Sequence, residues 1–319
     1  MKFKSVVFIL IVSFLLIGCE LENPEEDEQM GFGSSYIGGS DGLSVEFMEN
    51  QPPSTILDDS QSTFSISLQV KNEGEYDIPS GGVTTKIEGI DSRALGRDDL
   101  TASLDSNLRG KRLISGDQEN PGDIGYITLD DLSYQDSVST NIPLNLRARV
   151  CYDYQTNAIV NGFCIKKDPL DISDSSCEVS GSKTVDSSSA PISVRNFEQR
   201  PISNNEIRLS FDVVHQSNGE IISPSTDDCF DTERAQKNRV NVRIVGASNN
   251  LECSEFESSN GDLIREDINL YGGDRYSVRC TYNTDDASQR GTEDTVQIVL
   301  EYKYRTSNEK TIMLRDSGN

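Results

Sequence analysis

The sequence predicts an all-β protein built from two β-sandwich domains in tandem. Alternation of apolar and polar residues, which is the period of a strand with one buried face, recurs along the chain, and helical periodicity is almost absent. The chain of 319 residues has room for two domains of roughly 120 to 130 residues each. One alternating pattern also occurs twice, 150 positions apart, as Leu146, Ala148, Val150, Tyr152 and Tyr154 and again as Val296, Ile298, Leu300, Tyr302 and Tyr304.

Each copy of this pattern is predicted to form the closing β-hairpin of its domain. In the first copy, residues 144–164, a hairpin that sets Cys151 against Cys164 also sets Tyr152 against Phe163. We therefore expect a cross-strand disulfide between the two cysteines on the polar face of the hairpin. Glu301 takes the place of Cys151 in the second copy, so this bridge is expected in the first domain alone.

The first 18 residues have the pattern of a signal peptide. Lys2 and Lys4 precede a run of twelve residues at 6–17 that is apolar except for Ser13 and is shorter than the ~20 residues that span a bilayer as a helix. The following Leu-Ile-Gly-Cys at 16–19 resembles the lipobox of prokaryotic lipoproteins. The resemblance implies that Cys19 becomes the N-terminus and carries a diacylglyceryl group, so that membrane lipid is one partner. The alternative is an ordinary signal peptide with an incidental cysteine.

Residues 19–42 are acidic and then rich in glycine and serine, a composition that does not bury enough apolar surface to fold. We predict a flexible tether. The first domain is expected at 43–167, a connector at 168–189 and the second domain at 190–317, where the order of strand landmarks repeats.

The early strand of the first domain carries a second resemblance. Phe64, Ile66, Leu68 and Val70 alternate, and Asn72-Glu73-Gly74 is expected to form a turn with positive φ. This ending, Val-Lys-Asn-Glu-Gly, resembles the CARDB domains of prokaryotic surface proteins. The resemblance implies immunoglobulin-like sandwiches that serve as spacer or adhesive modules. The tryptophan and intersheet cysteine pair of antibody domains are absent from the sequence.

The charge and the cysteines restrict the class of protein. A formal net charge of -24 opposes binding to nucleic acid and electrostatic binding to anionic lipid. Six cysteines besides Cys19 predict disulfides in an exported chain. We expect the pairs Cys151–Cys164, Cys253–Cys280 and Cys177–Cys229, of which the last would attach the connector to the second domain. A zinc site is not expected, because no Cys-x-x-Cys occurs and His215 is the only histidine.

The sequence contains no catalytic constellation, and no catalytic residue, metal site or cofactor is assigned. His215 is expected to be a structural strand-end residue. The four tyrosines of the repeat are expected in the core, with a contact surface as the alternative. Candidate carboxylates for a hydrolase are Asp58-Asp59, Asp98-Asp99, Asp130-Asp131 and Asp227-Asp228, and candidate calcium ligands are Asp117, Glu119 and Asp123, or Asp227, Asp228 and Asp231.

Together these patterns predict a non-enzymatic, lipid-anchored protein on the extracytoplasmic side of the membrane, facing the cell surface or the periplasm. It is expected to act as an adhesive or structural module toward an extracellular or cell-envelope protein. The first alternative is a calcium- or solute-binding lipoprotein of a membrane complex, and the second is an extracellular hydrolase.

Overall fold

The computed structural model describes residues 35–115, 118–246 and 250–318, and these residues form an all-β fold, as predicted. The predicted signal peptide, Cys19 and the tether up to residue 34 lie outside the described residues. No helix in the described ranges is both long and apolar enough to cross a membrane. The strands are β1 Leu43–Phe47, β2 Thr55–Leu57, β3 Phe64–Asn72, β4 Val83–Glu88, β5 Thr101–Ser103, β6 Arg112–Ser115, β7 Gln118–Asn120, β8 Ile124–Leu132, β9 Ile142–Ile165, β10 Gly181–Ser182, β11 Thr184–Ser187, β12 Ile192–Ser203, β13 Glu206–His215, β14 Glu220–Ile222, β15 Arg239–Val245, β16 Leu251–Cys253, β17 Glu257–Ser259, β18 Asp262–Asn269, β19 Arg275–Asn283 and β20 Thr292–Arg315.

The strands form three main sheets and a small two-stranded sheet, β6-β7. The largest has the order β17-β18-β15-β20-β9-β4-β5, and β2, β11 and β14 pair at its long strands. The other two have the orders β1-β3-β8 and β10-β12-β13-β19-β16. Apolar residues from all three sheets form one continuous core cluster.

The two copies of the repeated pattern are single strands rather than hairpins. β9 and β20 each continue for 24 residues, and they pair with each other in antiparallel register from Thr292 with Ile165 to Leu314 with Ile142. The predicted hairpins are therefore wrong. The sequence contains the physical reason, because Thr156, Ala158 and Val160 keep the alternation in phase through the expected turn, and all three are buried.

The pairing of β9 with β20 has local twofold symmetry. Tyr152 pairs with Tyr304, Tyr154 pairs with Tyr302, and Asp153 pairs with Lys303 between them. Because β20 begins 150 residues after β9, Asp153 and Lys303 occupy equivalent positions of the two copies. The repeat detected in the sequence is thus a duplicated strand, and its two copies meet across a local twofold axis.

The two long strands connect the first half, residues 43–167, to the second half, residues 190–317. β20 pairs with β15 and β14 of the second half and, at its other end, with β2 of the first half. The segment 168–189 is not a free connector, because it contains β10, which pairs with β12, and β11, which pairs with β9. The two predicted domain ranges thus share one sheet within one compact unit.

Candidate functional site

The six described cysteines form three disulfides, Cys151–Cys229, Cys164–Cys177 and Cys253–Cys280. The predicted Cys253–Cys280 pair is confirmed, and these residues face each other on β16 and β19. The predicted Cys151–Cys164 and Cys177–Cys229 pairs are wrong. Since β9 is a single strand, Cys151 and Cys164 lie thirteen residues apart along it, a separation of roughly 40 Å.

The disulfide between Cys151 and Cys229 joins the two halves. Cys151 lies on β9 in the first half, whereas Cys229 lies in the loop after β14 in the second half. Both residues are buried together with Ile222. This bridge fixes a loop of the second half to the shared sheet.

The four tyrosines of the repeat are core residues, as expected. Tyr152, Tyr154, Tyr302 and Tyr304 are each at most 2% exposed. Tyr152 contacts Tyr304 at 5.8 Å between ring centroids, and Tyr154 contacts Tyr302 at 6.1 Å. Burial raises the pKa of all four phenols. The cluster therefore supports the twofold junction and is not a contact surface.

The tyrosine hydroxyls repeat the same contact in both halves. The Leu43 amide at the start of β1 donates to the Tyr152 hydroxyl at 3.1 Å, and the Ile192 amide at the start of β12 donates to the Tyr302 hydroxyl at 3.4 Å. Tyr302 also lies 3.1 Å from the Thr156 hydroxyl. Equivalent residues thus join the first strand of each half to the shared sheet.

Two glycines allow the other tyrosine of each copy to approach the backbone. A Cβ atom at Gly74 would lie 1.8 Å from the Tyr154 hydroxyl oxygen, and one at Gly219 would lie 2.4 Å from a Tyr304 ring carbon. The sequence-based explanation of Asn72-Glu73-Gly74 by positive φ is wrong, since neither Asn72 nor Gly74 has positive φ. The tyrosine contact requires the glycine.

His215 has a structural position at the end of β13. Its Nδ1 lies 3.1 Å from the Gly273 carbonyl oxygen, and its Nε2 lies 2.9 Å from the Tyr304 hydroxyl. Because a carbonyl oxygen only accepts, Nδ1 carries the proton and Nε2 accepts from Tyr304. Burial lowers the pKa of His215, while the hydrogen bond to Gly273 opposes this effect. The neutral imidazole is the form that fits this site.

We predict that acidification below pH 6.5 destabilises the protein through His215. The pKa of this histidine is lower in the folded state than its usual value of 6.5, so the unfolded chain takes up the proton first. Stability is therefore lost as the pH falls through 6.5 toward the folded-state pKa. The urea midpoint of the wild type should fall between about pH 8 and about pH 5.5. His215→Phe should reduce this pH-dependent difference, and an equal difference in both proteins would contradict the assignment.

The carboxylates considered for hydrolysis form separate local contacts. Asp58 accepts hydrogen bonds from the Val138 and Ser317 amides, each at 2.7 Å. These contacts lower the pKa of Asp58. The other carboxylates make their own local contacts: Asp59 accepts from the Ser62 amide, Asp99 from the Thr101 amide, Asp130 from the Ser65 hydroxyl and Asp228 from the Phe230 amide. Asp98, Asp131 and Asp227 are exposed.

The two predicted calcium sets are likewise not assembled among the described residues. Asp117 lies outside them, Glu119 is exposed on β7, and Asp123 forms an ion pair with Arg109 at 2.9 Å. In the second set, Asp228 accepts hydrogen bonds from the Phe230 and Asp231 amides. The described ranges contain no group of three or more histidine, cysteine, aspartate or glutamate residues that could hold a metal ion.

A cavity of about 490 Å³ lies where the long strands meet the loop before β14. Three arginines line it, and each has an acidic partner: Arg147 with Glu309, Arg149 with Glu88 at 2.6 Å, and Arg305 with Glu220. Arg305, whose side chain is 5% exposed, also donates to the Cys229 carbonyl. Burial alone would raise the pKa of Glu220, but hydrogen bonds from Arg305 and Lys237 lower it. The arginine charges of the cavity are thus neutralised internally.

Sequence analysis did not single out the loop that follows β9. This loop, residues 166–177, lies mostly within the predicted connector at 168–189, and it exposes Ile172 at 97% and Leu170 at 54%. Cys164–Cys177 closes its base. The available signal was the occurrence of two large aliphatic residues in a stretch otherwise rich in Asp and Ser.

Comparison with known proteins yields no family assignment. No family model matches the chain, and no curated protein matches it. A collagen adhesin from S. aureus is among the solved structures compared, with 8% sequence identity over 88% of this chain and 94% of that chain. The TM-score of 0.12 is too low for this likeness to support an argument about fold or function.

Proposed function

We propose that the protein is an exported, lipid-anchored surface protein and a non-enzymatic adhesive or structural module. The three disulfides are the observation that carries the proposal, because such bonds form and persist in oxidising compartments outside the cytoplasm. The Leu-Ile-Gly-Cys sequence at 16–19 supports attachment through an acylated Cys19, because two or more acyl chains hold a protein stably on a membrane.

The shared sheet is suited to a mechanical role. β9 and β20 are joined by 22 residue pairs, so a force applied along them in opposite directions would load many backbone hydrogen bonds in parallel. Cys151–Cys229 adds a covalent link between the halves. A module of this kind transmits load between a membrane anchor and an extracellular or cell-envelope partner without internal rearrangement.

The environment of the polar candidates supports a non-enzymatic role. His215 is engaged by Gly273 and Tyr304, and the Asp58 carboxylate is engaged by two backbone amides. General acid-base catalysis needs groups that converge on a substrate, and these groups instead bind the protein's own backbone and side chains. Recognition by an exposed surface fits this arrangement better than chemistry in a cavity.

The intact mass of the protein purified from its native membrane tests the proposal. We expect a chain that begins at diacylated Cys19 and gains six hydrogens on reduction of three disulfides. Cys19→Ser should abolish lipid attachment, so that no mature, acylated protein is found in the membrane. The folded part should be unchanged. A wild-type chain that remains unacylated and soluble would overturn the proposal.

A further inference from the structure

The loop of residues 166–177, between β9 and β10, presents apolar side chains to solvent. Ile172 is 97% exposed and Leu170 is 54% exposed. Scattered exposed apolar residues are common on soluble proteins, but these two lie close together in sequence on one closed loop. Thr284 ties the loop to the β12–β13 turn, because its hydroxyl donates to the Lys167 carbonyl at 3.0 Å and its amide donates to the Asn205 carbonyl at 2.8 Å.

A disulfide and a buried lysine hold the base of the loop in place. Cys164–Cys177 joins the end of β9 to the end of the loop. The Lys166 ammonium lies inside the loop, where it donates to the Asp171 carbonyl and, at 3.2 Å, to the Asp174 carbonyl. Lys166 is 5% exposed, so its charge is used to hold two carbonyl groups rather than to face solvent.

Leu170 and Ile172 form the apolar tip of the loop, and side-chain hydrogen bonds hold the backbone on both sides of it. The Asp168 carboxylate accepts from the Leu170 amide at 3.1 Å, and the Asp171 carboxylate accepts from the Ser173 amide at 2.8 Å. Asp174 accepts from the Gly291 amide at 2.7 Å, which joins the loop to the segment before β20. The apolar tip is therefore preorganised, and docking it would order little additional chain.

The charge around the tip indicates the chemistry of its partner. Asp168 and Asp171 lie on either side of Leu170, Asp171 and Asp174 lie on either side of Ile172, and Lys167 is the one exposed cation of the loop; the whole chain has a net charge of -24. This field attracts a basic surface and repels anionic lipid. An exposed aliphatic anchor on a rigid loop, within an acidic surround, is complementary to an apolar pocket with basic residues at its rim.

We propose that Leu170 and Ile172 are the docking element through which this protein binds an extracytoplasmic protein partner, by inserting into an apolar pocket with a basic rim. The inference rests on the proposed function, because the partner must share the compartment of the exported chain. It assigns a specific contact to that function. The contact lies on the loop of residues 166–177 and not on the tyrosine cluster or in the arginine-lined cavity.

Photocrosslinking on intact cells tests the inference. Ile172 is replaced by the photoreactive residue p-benzoylphenylalanine, and Ile114, a 64% exposed aliphatic residue on β6, is replaced in a matched control. We expect a discrete adduct with one other protein from position 172 and none of that mass from position 114. The double variant Leu170→Ser with Ile172→Ser should then bind the purified partner at least tenfold more weakly, whereas Ile114→Ser should bind as the wild type does.

Four outcomes would overturn the inference: no adduct from position 172, the same adduct from both positions, an adduct with a second copy of this chain, or tip-dependent binding of the purified protein to phosphatidylglycerol vesicles. The intact mass and cell fraction of the same samples separate this inference from the proposed function. A chain that is acylated at Cys19 but yields no adduct disproves the docking element alone. A chain that is neither exported nor acylated disproves both.

Discussion

Replacement of both Cys151 and Cys229 by alanine is expected to lower the free energy of unfolding by roughly 4 to 5 kcal/mol on the chain-entropy model. The two residues are 78 positions apart in sequence, so their bridge restricts a long loop of the unfolded chain. Both are also at least 92% buried. Alanine is chosen instead of serine because it places no unpaired hydroxyl group in this buried site. Urea unfolding of wild type and double variant measures the difference.

The matched control for this experiment is the double variant Cys164→Ala with Cys177→Ala. These cysteines are separated by only 13 residues, and the same model gives about 3 kcal/mol for their loop. The loss should therefore be greater for the pair that joins the two halves. A larger loss from Cys164 and Cys177, or no loss from Cys151 and Cys229, would contradict the role of the long-range bridge.

Tyr302→Ala is expected to destabilise the protein by about 3 to 5 kcal/mol, the usual cost of truncating a large buried aromatic residue. Tyr302 is 1% exposed and packs against Tyr154 and Tyr304 at the local twofold axis. Tyr302→Phe keeps the ring and removes the hydroxyl that contacts Thr156, so its expected cost is about 1 kcal/mol. Thermal and urea unfolding of the purified variants provide both values.

Tyr126→Ala is the control for the tyrosine series. Tyr126 is 54% exposed on β8, and its truncation should change stability by no more than about 0.5 kcal/mol. Equal losses for Tyr302→Ala and Tyr126→Ala would contradict the packing of the tyrosine cluster in the core.

Local pattern predicted several of the longer strands. The alternation at 64–70 corresponds to β3, and the alternations at 146–154 and 296–304 lie in β9 and β20. These strands have one buried face, and that property determines a period of two in the sequence. Between residues 91 and 139 the strands β5 to β7 are only three or four residues long, too short for a period to appear.

The same alternating pattern does not predict which strands pair with each other over long sequence distances. An alternating stretch looks the same whether the chain turns back at Asn157 and Ala158 or continues, and the outcome depends on the partner strand β20. A hairpin at β9 implies the Cys151–Cys164 pair, and that pair leaves Cys229 with the wrong partner. The fold class could be predicted because it depends on periodicity, whereas two of the three disulfides depend on tertiary contacts.

The loop of residues 166–177 shows a similar limit of prediction from sequence. Composition indicated a polar connector at 168–189, but the structure shows that Lys166, Asp168 and Asp174 satisfy backbone groups within the loop or beside it. Their side chains make the segment ordered, which composition alone does not reveal. The same order is what gives the exposed Ile172 a defined position.

The most direct test of the shared-strand architecture is a non-reducing peptide map of the disulfides in protein isolated from its native membrane. The structure predicts the three linked peptide pairs Cys151–Cys229, Cys164–Cys177 and Cys253–Cys280, with no free thiol among these six residues. A Cys151–Cys164 peptide would contradict the account, because those residues can meet only if β9 folds back into a hairpin and the two halves no longer share their longest strands.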